Sequence, residues 1–328
     1  MDKVARLPAA ERNALFSEAA AQLGTTPAVI EKDFWVTWVL ARLFAQPELA
    51  RLLMFKGGTS LSKAYRLIER FSEDIDLILD WRVLEVADPP IAPSKSRQGK
   101  LNEAVNKKAL AYISSELLPQ VVSMLDGVCT CELKSDAQHV VMIRYPAAFP
   151  DAYHLPYVQL EIGPLASWVP YEQREIVSYA AEAFPRVFGK ATCAVNVIKA
   201  ERTFWEKATI LHQEAHRAAD KPLPVRHSRH YYDVARMAAS PIKNVALIDM
   251  GMLLDVAEFK QRFYPCAWAR YELAKPGTLR LVPEGQMMDA VRADYRAMAN
   301  MMFGKALEFD EIMAVLRQLE TEINGGVA

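Results

Sequence analysis

The stretch Phe55-Lys-Gly-Gly-Thr-Ser-Leu61, followed by Arg70-Phe-Ser-Glu-Asp-Ile-Asp-Leu77, decides how the rest of this chain is read. Leu52 to Phe55 is a short apolar run, and Lys56-Gly57-Gly58 ends it. Thr59 or Ser60 is placed to cap a helix from Leu61 to roughly Glu69. Beyond it, Ile75, Leu77 and Leu79 alternate with Asp74, Asp76 and Ile78, the two-residue period of a strand with one polar edge. The expected unit is strand, glycine turn, short helix, carboxylate strand.

Asp74 and Asp76 project from the same face of that strand, about 7 Å apart along the chain. Carboxylates held that closely repel, and a divalent cation relieves the repulsion. Magnesium is satisfied by one or two carboxylates plus water and substrate phosphates. Most D-x-D tripeptides are only polar strand edges, and a lone Gly-Gly is usually a tight turn. The combination carries more, because glycines let the backbone approach a phosphate while N–H groups at a helix start attract its charge. A third carboxylate, Glu161, alternates with Leu160 and Ile162 in Tyr157-Val-Gln-Leu-Glu-Ile162, and Gln159 shares its face. A metal is one partner for such a group; a strand-edge glutamate in solvent is the plainer reading. Farther on, Lys207 lies three and four residues from Phe204 and Leu211, so it borders an apolar helical stripe. A lysine there either finds a carboxylate or phosphate, or snorkels to the surface.

Composition limits the partners. A net charge of -1 over 328 residues removes the strongest argument for a general nucleic-acid binder. Two local basic stretches remain, Lys95, Arg97, Lys100, Lys107 and Lys108, and then Arg226, His227, Arg229 and His230; each alone reads as solvated surface. Cys129, Cys131, Cys193 and Cys266 have no zinc spacing and read as small buried hydrophobes. There is no H-E-x-x-H, no G-x-S-x-G and no Walker A lysine, since Lys56 precedes the glycines. The opening MDKVARLPAAER lacks an apolar signal core, and no apolar run approaches ~18 residues, so a soluble, reduced, cytoplasmic protein without membrane contact is expected.

Helical patterns occupy 9–23 and 27–45, the latter after Thr26-Pro27. Residues 82–99, rich in Pro, Ser and charge, read as a surface loop, and 101–125 as a helix. Strand-like runs at Val128–Leu133, Val140–Tyr145 and Tyr157–Ile162 bring the sheet to about five strands with helices packed on it. After about residue 195 helices are expected at 199–217, 229–239, 244–257, 285–303 and 309–324.

The two opening segments resemble the signature of the AbiEii/AbiGii toxin family, with its MenT-like members, a branch of the DNA polymerase β-like nucleotidyltransferases. That superfamily has a Gly-Ser pair, a short helix, D-x-D, and a third carboxylate on a neighbouring strand. Here Gly58-Thr59 stands in place of Gly-Ser and keeps the hydroxyl. Glu201-Arg-Thr-Phe-Trp-Glu-Lys207 and Arg229-His-Tyr-Tyr-Asp-Val234 resemble the family's two C-terminal motifs, an E-K helix and an R-x-x-x-D helix. The resemblance runs over roughly 25–240. It implies an α+β fold with a polymerase β-like nucleotidyltransferase core and N-terminal helices over 1–195. A mostly helical domain, 196–328, would contribute Lys207 and Asp233.

The same resemblance implies that Asp74, Asp76 and Glu161 bind Mg2+, or Mn2+ in its place. Glu161 stands where Asp is commoner, so it either binds metal or acts as a base on the acceptor hydroxyl. Asp233 would orient Lys207 toward the triphosphate, and Gly57, Gly58, Thr59, Ser60, Lys63, Arg70 and Ser72 would line the nucleotide site with it. The implied activity is metal-dependent transfer of an NMP from a nucleoside triphosphate to RNA, such as the tRNA 3′ end that MenT toxins modify. The protein would then be the toxin of a toxin-antitoxin or phage-defence pair with a cognate antitoxin. Two alternatives stand beside it: an aminoglycoside-type small-molecule nucleotidyltransferase, and a non-catalytic member that binds nucleotide or a partner. The intact acidic trio argues against the second.

Overall fold

Alternation of apolar and polar side chains builds one mixed sheet of seven strands in the computed structural model, which describes residues 1–72, 74–86, 90–149, 155–218, 220–302 and 306–325. The strands are β1 (Leu53–Lys56), β2 (Asp74–Leu79), β3 (Thr130–Lys134), β4 (Ala137–Arg144), β5 (Tyr157–Gly163), β6 (Tyr171–Val177) and β7 (Thr192–Ile198). Their order is β3-β4-β5-β2-β1-β7-β6. β2 runs parallel to β5 and antiparallel to β1, while β1 runs parallel to β7. The outer pairs β3–β4, β4–β5 and β6–β7 are antiparallel.

The fold class is α+β as expected, but the strand count is seven instead of about five. The two unexpected strands are β6 and β7. β7 alternates legibly, whereas β6, Tyr-Glu-Gln-Arg-Glu-Ile-Val, is an edge strand exposed along most of its length and so carries almost no apolar period.

The chain divides into two units, Met1–Ala64 with Phe71–Ile198, and Tyr65–Arg70 with Lys199–Ala328. In the first, Phe55, Ile75, Leu77, Leu160, Ile162 and Val197 are buried on one face of the sheet. The helix Pro27–Ala45 packs against β5 and β7. It starts where Thr26 Oγ1 accepts from Val29 N, with Pro27 at its first turn. Its Phe34, Trp35, Val39, Leu40 and Leu43 are fully buried, and Phe34 meets Phe16 of the helix Ala9–Leu23 at 5.3 Å between ring centroids. The other sheet face carries half-buried polar residues at alternate positions of β2 and β5.

Three local expectations in this unit need correction. The helix after the glycine turn is Gly57–Lys63, not Leu61–Glu69, so Thr59 and Ser60 lie inside it and do not cap it. The loop expected over 82–99 is shorter: Trp81–Leu84 forms a 3-10 turn and a helix already starts at Lys95, where Ser94 Oγ accepts from Arg97 N; residues 87–89 lie outside the described residues. The helix expected over 101–125 is two, Lys95–Tyr112 and Leu118–Leu125, joined through a π turn at Ile113–Leu117. Of the four cysteines only Cys193 is buried, the rest being half-buried. Burial pushes the Cys129 and Cys193 thiols up to about 12, which suits neither a nucleophile nor a metal ligand.

The second unit is built from helices Ala200–Ala215, Arg229–Ala238, Ile242–Ile248, Met250–Phe263, Gln286–Ala297 and Phe309–Gly325; the one helix expected over 244–257 is two, because Asp249 caps the second through Met252 N. Among the described residues no helix is long and apolar enough to cross a membrane.

Candidate active site

The parallel pairing of β2 with β5 puts Asp74 opposite Gln159 and Asp76 opposite Glu161. All four side chains stand on the half-buried face, because their apolar neighbours Ile75, Leu77, Leu160 and Ile162 take the core side. Gln159 Nε2 donates to Asp74 Oδ1 at 2.8 Å, so one carboxylate oxygen is oriented and the other is left for a further partner. On the opposite flank, β1 sets Lys56 against Asp76. Gly57 follows at φ +81°, and a Cβ placed on it would lie 1.9 Å from Asp76 Oδ2. The glycine is therefore required twice, by its backbone angle and by the carboxylate beside it.

Thr59 and Ser60 are fully buried. Thr59 Oγ1 donates to the carbonyl of Asp74 and lies 2.9 Å from Ser72 Oγ, while Ser60 Oγ donates to Gly57 O at 2.8 Å. These hydroxyls latch the glycine turn to the start of the carboxylate strand. Gly58 is half-buried in the same turn. Lys63 is also buried, in an ion pair of 2.5 Å with Asp33, and its ammonium sits 4.1 Å from the centre of the Tyr179 ring. Tyr179 N donates to the second Asp33 oxygen at 2.7 Å. Burial pushes the Asp33 carboxyl up and Lys63 opposes that shift. Lys63, which the resemblance assigns to the nucleotide site, thus has a protein partner.

The donor set suits a hard divalent ion: carboxylates on adjacent strands, in register, beside a glycine whose missing side chain leaves room. Among the described residues no three acidic, histidine or cysteine side chains close around one point. Magnesium does not need such a cage, since one or two carboxylates with water and phosphate oxygens complete its shell.

The second unit holds the other expected residues. Asp233 has no solvent exposure, and its carboxylate accepts two hydrogen bonds of 2.7 Å from Arg70 and one ion pair of 2.8 Å from Lys207. Burial alone would raise Asp233, yet Arg70 and Lys207 together hold it at about 2. Lys207 moves downward instead, because burial and the neighbouring Arg70 charge outweigh the share of Asp233 it receives. The two directions agree physically: two cations divide one carboxylate, and the ammonium is the less neutralised.

His230, whose Nδ1 lies 3.4 Å from Lys207 Nζ, is held well below its ordinary value by burial and by Lys207, so it is neutral and can accept from that ammonium. Reading the sequence did not single out His230 for this place; its spacing of three residues before Asp233 was the available signal. Nor did it single out Asp33, although Glu31-Lys32-Asp33 inside an apolar helix marks buried pairing.

The basic stretches separate. Lys95, Arg97, Lys100, Lys107 and Lys108 are exposed on one helix, whereas Arg226, His227, Arg229 and His230 are half-buried. His227 turns toward Glu214 at 3.5 Å.

A family model described as "Nucleotidyl transferase AbiEii toxin, Type IV TA system" matches residues 38–315. No curated protein matches the sequence. Among solved structures, MenT4, a nucleotidyltransferase toxin from Mycobacterium tuberculosis H37Rv, is similar over 95% of this chain and 97% of its own, with 16% identity and a TM-score of 0.47.

Proposed function

Because the chain belongs to the AbiEii nucleotidyltransferase toxin family of type IV toxin-antitoxin systems, we propose that it moves an NMP from a nucleoside triphosphate to RNA, at the 3′ end of tRNA. The observation that supports this reading best is the register of Asp74 and Asp76 with Gln159 and Glu161, beside a turn where only glycine fits.

In the proposed reaction Asp74, Asp76 and Glu161 would hold Mg2+ or Mn2+, with water and phosphate oxygens completing the shell. Such ions, when bound, supply charge neutralisation at the α-phosphate and at the departing pyrophosphate. Gln159 keeps Asp74 turned correctly. Gly57 and Gly58 let the backbone come close to the phosphates, and the Thr59 and Ser60 hydroxyls keep that turn fixed against β2. Glu161, opposite Asp76 on β5, serves either in that set or, in its place, as the base that takes the proton of the acceptor hydroxyl. The family resemblance assigns Lys207, whose ammonium Asp233 holds, to the negative charge of the leaving group. The partner in the cell is a cognate antitoxin, and the setting is cytoplasmic defence against phage.

Incubating the protein with total tRNA and each labelled nucleoside triphosphate tests the proposal. Label should enter RNA with the natural sequence and should disappear with Asp74→Ala, whose circular dichroism stays unchanged. Labelled protein or small molecules alongside unlabelled RNA would reject the RNA acceptor.

A further inference from the structure

The sheet face that carries the carboxylates continues past them. Met54 pairs with Ile78, two residues beyond Asp76 on β2 and about 7 Å farther along the strand. Met54 and Ile78 form a small buried cluster with Ala166 and Ile198, and Trp168 packs on it. Above this floor lies a cavity of about 480 Å3 whose walls include Arg51, Trp81, Arg82, Trp168 and Tyr171, all within the first unit. The Arg82 guanidinium stands 5.9 Å from the centre of the Trp168 ring and is held by Asp80 through contacts of 2.8 and 2.9 Å. Tyr171 is 53% exposed, and Arg51 is exposed at the rim. Two guanidiniums against one carboxylate leave the rim positive in a chain whose net charge is -1.

Aromatic rings beside arginines are what an unpaired base with its phosphates requires: the rings stack on the base and the cations meet the backbone. The direction of the strands favours the base of the acceptor. Gly57 lies on one side of the Asp76 position and Met54 on the other, since β1 reaches Lys56 opposite Asp76 only after passing Met54 opposite Ile78. In an in-line displacement the attacking and leaving oxygens sit on opposite sides of the phosphorus. With the triphosphate at the glycine turn, the attacking hydroxyl comes from the side of the cavity.

We propose that this cavity receives an unpaired base at the 3′ end of the acceptor RNA and not the base of the donor nucleotide. The inference rests on the transfer reading given above, and its test separates the two. Arg82→Glu and Tyr171→Ala alter exposed side chains outside the carboxylate row. Fluorescence anisotropy of a labelled oligoribonucleotide with an unpaired 3′ end should show about tenfold weaker binding to each variant, the loss of one stacked base or one phosphate contact. A blunt duplex of the same length should bind the natural protein and both variants alike. In transfer assays the KM for RNA should rise about as much, while the KM for the nucleoside triphosphate stays within about twofold.

Unchanged RNA affinity in both variants overturns the inference, and so does a KM for the triphosphate that rises alone or in step with that for RNA. If the natural protein labels no RNA but the oligonucleotide still binds in a way that depends on Arg82 and Tyr171, the transfer reading fails and the base pocket stands.

Discussion

Gly57 carries two demands in one residue, a φ of +81° and a neighbouring carboxylate oxygen that would lie 1.9 Å from any Cβ. Gly57→Ala should therefore lower stability by about 1–2 kcal/mol and push Asp76 aside. A displacement of that size should cut transfer about a hundredfold, measured as kcat with the thermal midpoint followed in parallel. At Asp233 one carboxylate serves two cations, so the effects of removal are unequal. Asp233→Ala strands Arg70 and Lys207 and should destabilise by about 3–5 kcal/mol, whereas Lys207→Ala leaves the Arg70 pair in place and should lose mainly activity. The folded pKa of Asp233, about 2, lies below the unfolded value of about 3.9. Its contribution is accordingly complete above about pH 4 and is lost as pH falls toward 2, a decline that Asp233→Asn should flatten in acid titrations of stability.

The helix Pro27–Ala45 shows what a single element reveals in advance and what it conceals. Thr26-Pro27 and the spacing of Val29, Ile30, Phe34 and Trp38 announce its start and its buried face. The same turn holds Glu31, Lys32 and Asp33, all nearly without exposure. Glu31 accepts from the N–H groups of Ala148 and Phe149, Lys32 donates to the carbonyls of Leu155 and Tyr157, and Asp33 binds Lys63 and Tyr179 N. Each partner is at least thirty residues away, so a local period has no access to it. Lys63→Met should leave Asp33 buried with one partner fewer and lower the urea midpoint by an amount equal to about 3–5 kcal/mol. Adding Asp33→Asn should recover part of that loss; no recovery would mean that the pair contributes little. β6 shows no such period for the complementary reason, since an exposed edge strand needs no apolar face.

Across the whole molecule, Tyr65–Arg70 is the segment with no announcement in the sequence: it belongs with Lys199–Ala328 although the residues on either side of it belong to the first unit. That excursion makes Arg70 a partner of Asp233, 163 residues distant. The carboxylates Asp74, Asp76 and Glu161 are half-buried on a sheet face and not inside the core, so the proposed ion would support chemistry more than folding. Treatment with EDTA should stop transfer, leave the thermal midpoint within about 2 °C, and be reversed by Mg2+ or Mn2+. A large fall in the midpoint would instead make the metal part of the framework.

Reading the amino-acid order alone sufficed for the α+β class, the glycine turn, the carboxylate strand, Glu161 on its own strand and the two helical motifs with Lys207 and Asp233. These are local matters, set by periods of two or 3.6 residues and by the angles that glycine permits. Tertiary structure alone decided that Asp76 stands opposite Glu161, that Gly57 abuts Asp76, and that Lys63 and Arg70 are paired with Asp33 and Asp233. Alternation determines which face a side chain takes, but strand order and register follow from how the whole sheet buries its apolar side, and distant charges find each other only when that burial removes water from around them.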